Sequence, residues 1–172
     1  INATLLQTNI KLGDIITELP TRPLMTGHGE LRLSLAGAQD KLPIIYQQGR
    51  FALPTDHRAT THILKPEPEQ YPGLATNEYF CMTLAKRVGI KVAEIERLTI
   101  DGKPCLLSQR YDRAIDSSEE VIRIHQEDFC QALGFPPERK YQTEGGPTVF
   151  DCISLIQAWS SIPALDIPAF VD

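Results

Sequence analysis

The chain has 172 residues, 42% of them apolar and 23% charged, with a formal net charge of -5. That is enough for one domain or two small lobes around a packed core, and the acidic balance excludes a general binder of nucleic acid or anionic membrane, which carries a basic excess. No apolar run approaches the roughly 20 residues that a membrane-crossing helix needs, and no signal peptide is visible.

The chain starts at Ile1 and stops abruptly after Pro168-Ala169-Phe170-Val171-Asp172, so it reads as a fragment or a processed product. Residues 1 to about 30 give no clear element, because Pro20, Pro23, Gly27 and Gly29 interrupt any long one. Lys41 to Gln47 is a β-rich run, Gln48-Gly49 a turn, and Arg50 to Leu53 its returning strand. Thr60 to Lys65 is a further strand, ended by Pro66 and Pro68. Residues 66 to 75 form a loop rich in Pro and Gly.

Asn77 to Val88 predicts an amphipathic helix with Thr76 as N-cap and Gly89 as its stop. Its apolar face is Tyr79, Phe80, Met82, Leu84, Ala85 and Val88, spaced near the helical period. Val92 to Ile100 and Cys105 to Tyr111 predict two strands joined by an Asp101-Gly102 hairpin turn. Asp112 to Glu120 reads as a polar connecting loop and Val121 to Ile124 as one more strand. Gln126 to Gly134 predicts a helix, Pro136 to Pro147 a loop, and Phe150 to Ser160 a helix with Ile153, Ile156 and Trp159 on one side. Cys81, Cys105, Cys130 and Cys152 form no C-x-x-C pair; they are read as reduced thiols of a cytoplasmic protein.

Four segments can carry chemistry. In Ser34-Leu35-Ala36-Gly37-Ala38-Gln39-Asp40-Lys41, the small residues allow backbone N–H groups to approach an anion closely, although a plain hairpin connection has the same composition. Lys65, at the end of an apolar strand, can reach nucleotide phosphates or simply face water. Glu78 can pair with Lys65, as in a kinase N-lobe, or serve as a first-turn acid facing the helix dipole. Gln109-Arg110-Tyr111-Asp112-Arg113 lies where a strand runs into a charged link: an inter-lobe hinge that could hold adenine, or a surface strand end. Gln126 to Asp128, at a helix start, can act as ordinary capping.

Taken together, these segments resemble the HipA family of bacterial toxin kinases. The matching stretches are S-L-A-G-A-Q-D-K from Ser34, T-T-H-I-L-K ending at Lys65, N-E-Y-F-C-M-T-L-A-K from Asn77, Q-R-Y-D-R from Gln109, H-Q-E-D-F-C-Q-A-L-G from His125 and K-Y-Q-T-E-G-G-P from Lys140. They span about residues 32 to 160. The resemblance implies an α+β, protein-kinase-like two-lobed fold: an N-lobe of antiparallel sheet with one main helix over residues 1–111, then the hinge-following link and first helices of a C-lobe over 112–172.

The resemblance further implies ATP with Mg2+ and phosphorylation of Ser or Thr on a protein, possibly an aminoacyl-tRNA synthetase. It implies a HipB-like antitoxin as partner, with DNA contacted only through it. Ser34 matches an autophosphorylated loop serine, and Ala36, Gly37 and Ala38 match the phosphate-covering loop. Lys65 matches the lysine at the nucleotide phosphates, with Glu78 as its partner. Gln109 and Tyr111 match the adenine-holding hinge positions, where some relatives carry Glu and Phe, and Gln126 matches a residue lining the nucleotide site. The family's catalytic Asp, with its following His and Asn, and its metal-binding Asp are not met by Asp172, and His28, His57, His62 and His125 do not replace them. The expectation is therefore an ATP-binding part with no metal ligands of its own, inactive in transfer by itself. The alternative from another class is a non-catalytic binding module that uses the same fold to engage an antitoxin or other protein.

Overall fold

Alternating apolar residues and two tight turns generate most of the first half of the molecule. The computed structural model describes residues 12–18, 40–54, 58–118 and 120–171. Strands β1 (Leu42–Gln47), β2 (Arg50–Ala52), β3 (His62–Pro66), β4 (Ile95–Ile100) and β5 (Lys103–Gln109) form one antiparallel sheet in the order β2-β1-β3-β5-β4. The two-residue turns that join β1 to β2 and β4 to β5 need positive φ at both positions. Gln48 and Gly49 supply 51° and 76°, and Asp101 and Gly102 supply 48° and 81°.

The pairing register sorts side chains onto two faces. Leu42, Ile44, Leu64, Cys105 and Leu107 share one face and pack with Ile15 and Ile16 of helix α1 (Leu12–Glu18) in the buried core. No element is read from the sequence in that region. Helix α2 (Leu74–Arg87) lies against β4 and β5, and the face opposite the core carries Lys65, paired in register with Leu106.

Helix α2 differs from the sequence expectation in three ways. It begins three residues before Asn77, because the φ of 88° at Gly73 starts the helical turn and the Glu67 carboxylate accepts the Ala75 N–H at 3.1 Å. Thr76 is therefore not its cap; its hydroxyl instead accepts from Arg97 at 3.2 Å. Nor is the whole of the expected apolar face packed: of its six residues only Met82 and Ala85 are half-buried. Phe80, Leu84 and Val88 are exposed, at 63%, 50% and 67%, whereas Ala75 is buried and Glu78, Met82 and Ala85 are half-buried. Counting apolar residues cannot separate those two faces; the sheet selects the one with small and short side chains near its start.

The stretch Asp112 to Glu120, expected as a loop, contains strand β6 (Arg113–Ile115), which pairs with β7 (Val121–Arg123). Asp116 closes this hairpin by accepting the N–H groups of Ser118 and Glu120 at 2.8 and 2.9 Å. The hairpin belongs to the first of two compact units, residues 1–124, followed by 125–172.

In the second unit the helix expected over Gln126 to Gly134 is a single turn, α3 (Phe129–Ala132). Gln126 and Glu127 lie before it, and Asp128 is its cap in a reciprocal capping box with Gln131. Two 3-10 turns follow, Pro137–Arg139 and Gln142–Glu144. Gly146 is required by close approach: a Cβ there would lie 2.4 Å from the Arg139 carbonyl oxygen. Helix α4 (Val149–Trp159) is capped by Thr148 with Asp151. Its inner side carries Cys152, while Trp159, expected with Ile153 and Ile156, is exposed. Helix α5 (Pro163–Val171) packs on α4, and Phe170 meets Phe129 with ring centroids 5.1 Å apart. The four cysteines are free thiols; burial pushes the pKa of Cys105 up, as suits a core position.

Leu64 is fully buried in the core face. Leu64→Ala is expected to lower stability by about 2–5 kcal/mol, seen as a lower urea midpoint at unchanged slope. A loss below about 1 kcal/mol would mean that this face is not the core.

Candidate functional site

A lysine on a sheet face beneath a helix needs a counter-charge, because a partly desolvated ammonium is costly alone. Strand alternation turns Lys65 toward the α2 side, and the early start of α2 sets Glu78 in the second turn. The Lys65 ammonium donates to the Glu78 carboxylate, and both side chains are about three-quarters covered, at 23% and 27% exposed. The carboxylate is thus a tertiary partner rather than a first-turn acid facing the helix dipole.

Moving along β5 from Leu106, the register partner of Lys65, Gln109 lies three residues on and Tyr111 five. At a strand's rise that is roughly 10–17 Å, comparable with an extended nucleotide from terminal phosphates to base. Gln109 pairs in register with His62, so its side chain lies on the face away from Lys65. Its N–H donates to the Glu94 carbonyl at 2.8 Å, while the next N–H, of Arg110, closes the ladder on the other flank to the Thr61 carbonyl at 2.9 Å. The Gln109 carbonyl points to the Glu94 flank, since N–H and C=O of one strand residue share a side. Among the described residues, no N–H of Glu94 returns that bond and no backbone acceptor meets the Tyr111 N–H. The Tyr111 ring is 79% exposed. An acceptor and a donor two residues apart therefore have no backbone partner among the described residues at the sheet's end.

What holds this end in place was not singled out from the sequence. Asp112, 7% exposed, accepts from Arg110 Nε at 2.9 Å and Nη2 at 2.7 Å, and pairs with Arg113 Nη1 at 2.8 Å. Arg113 Nε also donates to the Thr60 carbonyl at 2.6 Å, and Arg110 reaches the Thr60 hydroxyl at 3.3 Å. The Arg-Tyr-Asp-Arg stretch is thus a buried clamp, not a solvated strand end. The only sequence signal for it is two arginines flanking an acid across a chain reversal. Hydrogen bonding from Arg110, helped by the charges of both arginines and opposed by burial, holds the Asp112 carboxyl at about 2, against an ordinary 3.8. Burial pushes the His62 imidazole below its usual range, against the pull of Glu96, so it is neutral at pH 7.

Of the other sequence-predicted positions, Ser34, Ala36, Gly37 and Ala38 lie outside the described residues. Gln126 belongs to the second compact unit. Among the described residues, no three His, Cys, Asp or Glu side chains gather as a metal site would require. No helix among them is long and apolar enough to cross a membrane.

The family model described as the HipA-like C-terminal domain matches residues 33–172. The chain belongs to the HipA-like C-terminal domain family. Curated relatives agree. This HipA-like chain is 52% identical over 158 residues to "Putative kinase Y4mE" of Sinorhizobium fredii, covering 92% of the chain and 38% of that protein. It is 37% identical over 141 residues to the serine/threonine-protein kinase toxin HipA of Shewanella oneidensis, covering 80% of the chain and 32% of that protein. Among solved structures, a chain of the Shewanella oneidensis HipA, HipB and operator DNA complex matches with a TM-score of 0.69 at 30% identity, covering 91% of this chain and 41% of that one. The HipA-like chain therefore spans less than half the length of these relatives, and its α+β fold is theirs.

The clamp has a consequence for stability. A carboxyl held below its unfolded pKa contributes stability that is complete above about pH 4 and is lost as pH falls through about 2. From the shift of 3.8 to about 2, the contribution is about 2 kcal/mol. Urea unfolding between pH 5 and 2.5 should show part of that loss in the parent, and Asp112→Asn should remove the Asp112 share of the slope. An identical pH slope in both proteins would refute the assignment.

Proposed function

We propose that this chain is the ATP-binding part of a HipA-like kinase which, at full length, phosphorylates Ser or Thr side chains of a protein. The observation that carries the reading is the pair of Lys65, on β3, with Glu78, on α2, beside a neighbouring strand whose end leaves the Gln109 carbonyl and the Tyr111 N–H without a backbone partner among the described residues. The chemistry at the two ends is complementary to ATP. The amine of Lys65, oriented by Glu78, can donate to phosphate oxygens as a charge-assisted partner. At the other end, the Gln109 carbonyl can accept from the adenine amino group while the Tyr111 N–H donates to the neighbouring ring nitrogen. Guanine presents a carbonyl and an N–H at those positions, so acceptor would meet acceptor and donor would meet donor.

In this reading Tyr111 covers one side of the base, and Ala36, Gly37 and Ala38 are, by the resemblance, the residues of the phosphate loop. Ser34 is the loop serine that becomes phosphorylated: about -1.5 to -2 added charges there would compete with those of ATP. Mg2+ supplies charge neutralisation at the phosphates when bound, on ligands other than the residues described. The protein works in the cytoplasm with a HipB-like antitoxin, through which alone it meets DNA. The support for the antitoxin partner is the solved relative, described as a complex of HipA, HipB and operator DNA. The protein substrate, by the same resemblance, belongs to a class such as the aminoacyl-tRNA synthetases.

Titration of the 172-residue chain with ATP is expected to show saturable binding. Lys65→Ala should weaken it by at least about tenfold, and Glu78→Gln by less. If the parent does not bind ATP, or Lys65→Ala binds equally well, the nucleotide reading fails.

A further inference from the structure

We infer that Asp112 is a positioning residue for base recognition, its ion pairs with Arg110 and Arg113 holding the 109–111 backbone at a set offset from Lys65. The inference rests on the nucleotide site proposed above and adds to it a determinant of base selectivity. Three observations carry it.

First, the clamp encloses Tyr111. Arg110 on one side and Asp112 and Arg113 on the other are covered to nine-tenths or nearly so, while the Tyr111 ring between them is exposed. A residue with so little side-chain packing has its peptide orientation set by its neighbours. Second, the clamp reaches the strand that carries the lysine. Arg113 Nε and the Arg110 N–H bond the carbonyls of Thr60 and Thr61 at 2.6 and 2.9 Å, and β3 starts at the next residue, His62. One rigid connection therefore joins the base end of the proposed site to its phosphate end. Third, the Asp112 backbone is fastened as well: its carbonyl accepts from Arg113 Nη1 at 2.7 Å and from the Ile124 N–H at 3.0 Å. The peptide that follows Asp112 is thus held at its carbonyl by two hydrogen bonds, one residue beyond the Tyr111–Asp112 peptide.

Stability alone is a poor reason for this arrangement. Burying one carboxylate and two guanidinium groups costs desolvation that a well-packed apolar cluster would not incur. The bidentate geometry of Arg110 instead supplies a fixed direction. If Asp112 loses its charge, the two guanidinium groups repel each other, and the intervening backbone moves before the sheet does, because β5 is held by β3 and β4 on both sides.

The test measures base selectivity. The 172-residue chain and Asp112→Asn are titrated with ATP, GTP and inorganic tripolyphosphate, with near-ultraviolet circular dichroism as a check of folding. ATP affinity is expected to fall about tenfold in the variant and the preference for ATP over GTP to shrink by the same factor. Tripolyphosphate, which meets only the lysine end, should change by less than about twofold. An unchanged ATP-to-GTP ratio, or equal weakening of all three ligands, overturns the inference and leaves the nucleotide site standing. A parent chain that binds none of the three overturns the site itself. If Asp112→Asn does not fold, Arg110→Lys carries the same measurement: it keeps the charge and loses the fork, and the ratio should move in the same direction.

Discussion

A partly covered ammonium on the helix-covered face of a sheet must find a carboxylate, and in this chain that need organises everything around it. Lys65 cannot turn away, because strand alternation commits Leu64 to the core on the opposite face. Glu78 can reach it only because α2 begins early, at Leu74, under the joint control of Gly73 and Glu67. The same pair tethers α2 over the sheet, although few large apolar side chains of that helix are buried. A polar interaction thus does here what a leucine stripe does in most helix–sheet contacts, and it leaves an amine positioned to receive a phosphate.

The second organising feature is the charged cluster at the far end of β5. The two ends of the proposed site are built from opposite materials. The phosphate end depends on a side-chain pair with some exposure. The base end depends on backbone groups whose direction is set by a nearly dry carboxylate between two arginines. In the proposed site, recognition through backbone groups tolerates side-chain change at the contacting positions themselves. It does not tolerate change in whatever aims the peptide. The chemically informative residues at this end are therefore Asp112 and its two partners.

The family assignment fits this division. The matched region, 33–172, includes both the β3 lysine and the Arg-Tyr-Asp-Arg stretch, and the relatives carry the kinase name over chains much longer than this one. Phosphoryl transfer needs positioning and charge stabilisation together.

Much was legible from the residues alone. Strand runs, the two hairpin turns, the order of the sheet elements and the lysine at the end of β3 all rest on local rules: period-two alternation and the positive φ demanded by Gln48-Gly49 and Asp101-Gly102. The resemblance to HipA rested on linear motifs and needed no coordinates. What only the tertiary structure decided depends on distance across the chain. Thr76 looked like a cap because capping residues are recognised locally, but the acceptor came from Glu67, eight residues before the N–H it meets. Phe80, Leu84 and Val88 looked like the packed face because periodicity finds a stripe without knowing where the sheet lies. Asp112 looked solvated because the bonds that fasten its two arginine partners to Thr60 form only once β3 and the end of β5 have met, bringing together residues fifty or more positions apart. Local geometry is written in neighbouring residues, whereas the burial of a charge is a property of the assembled fold.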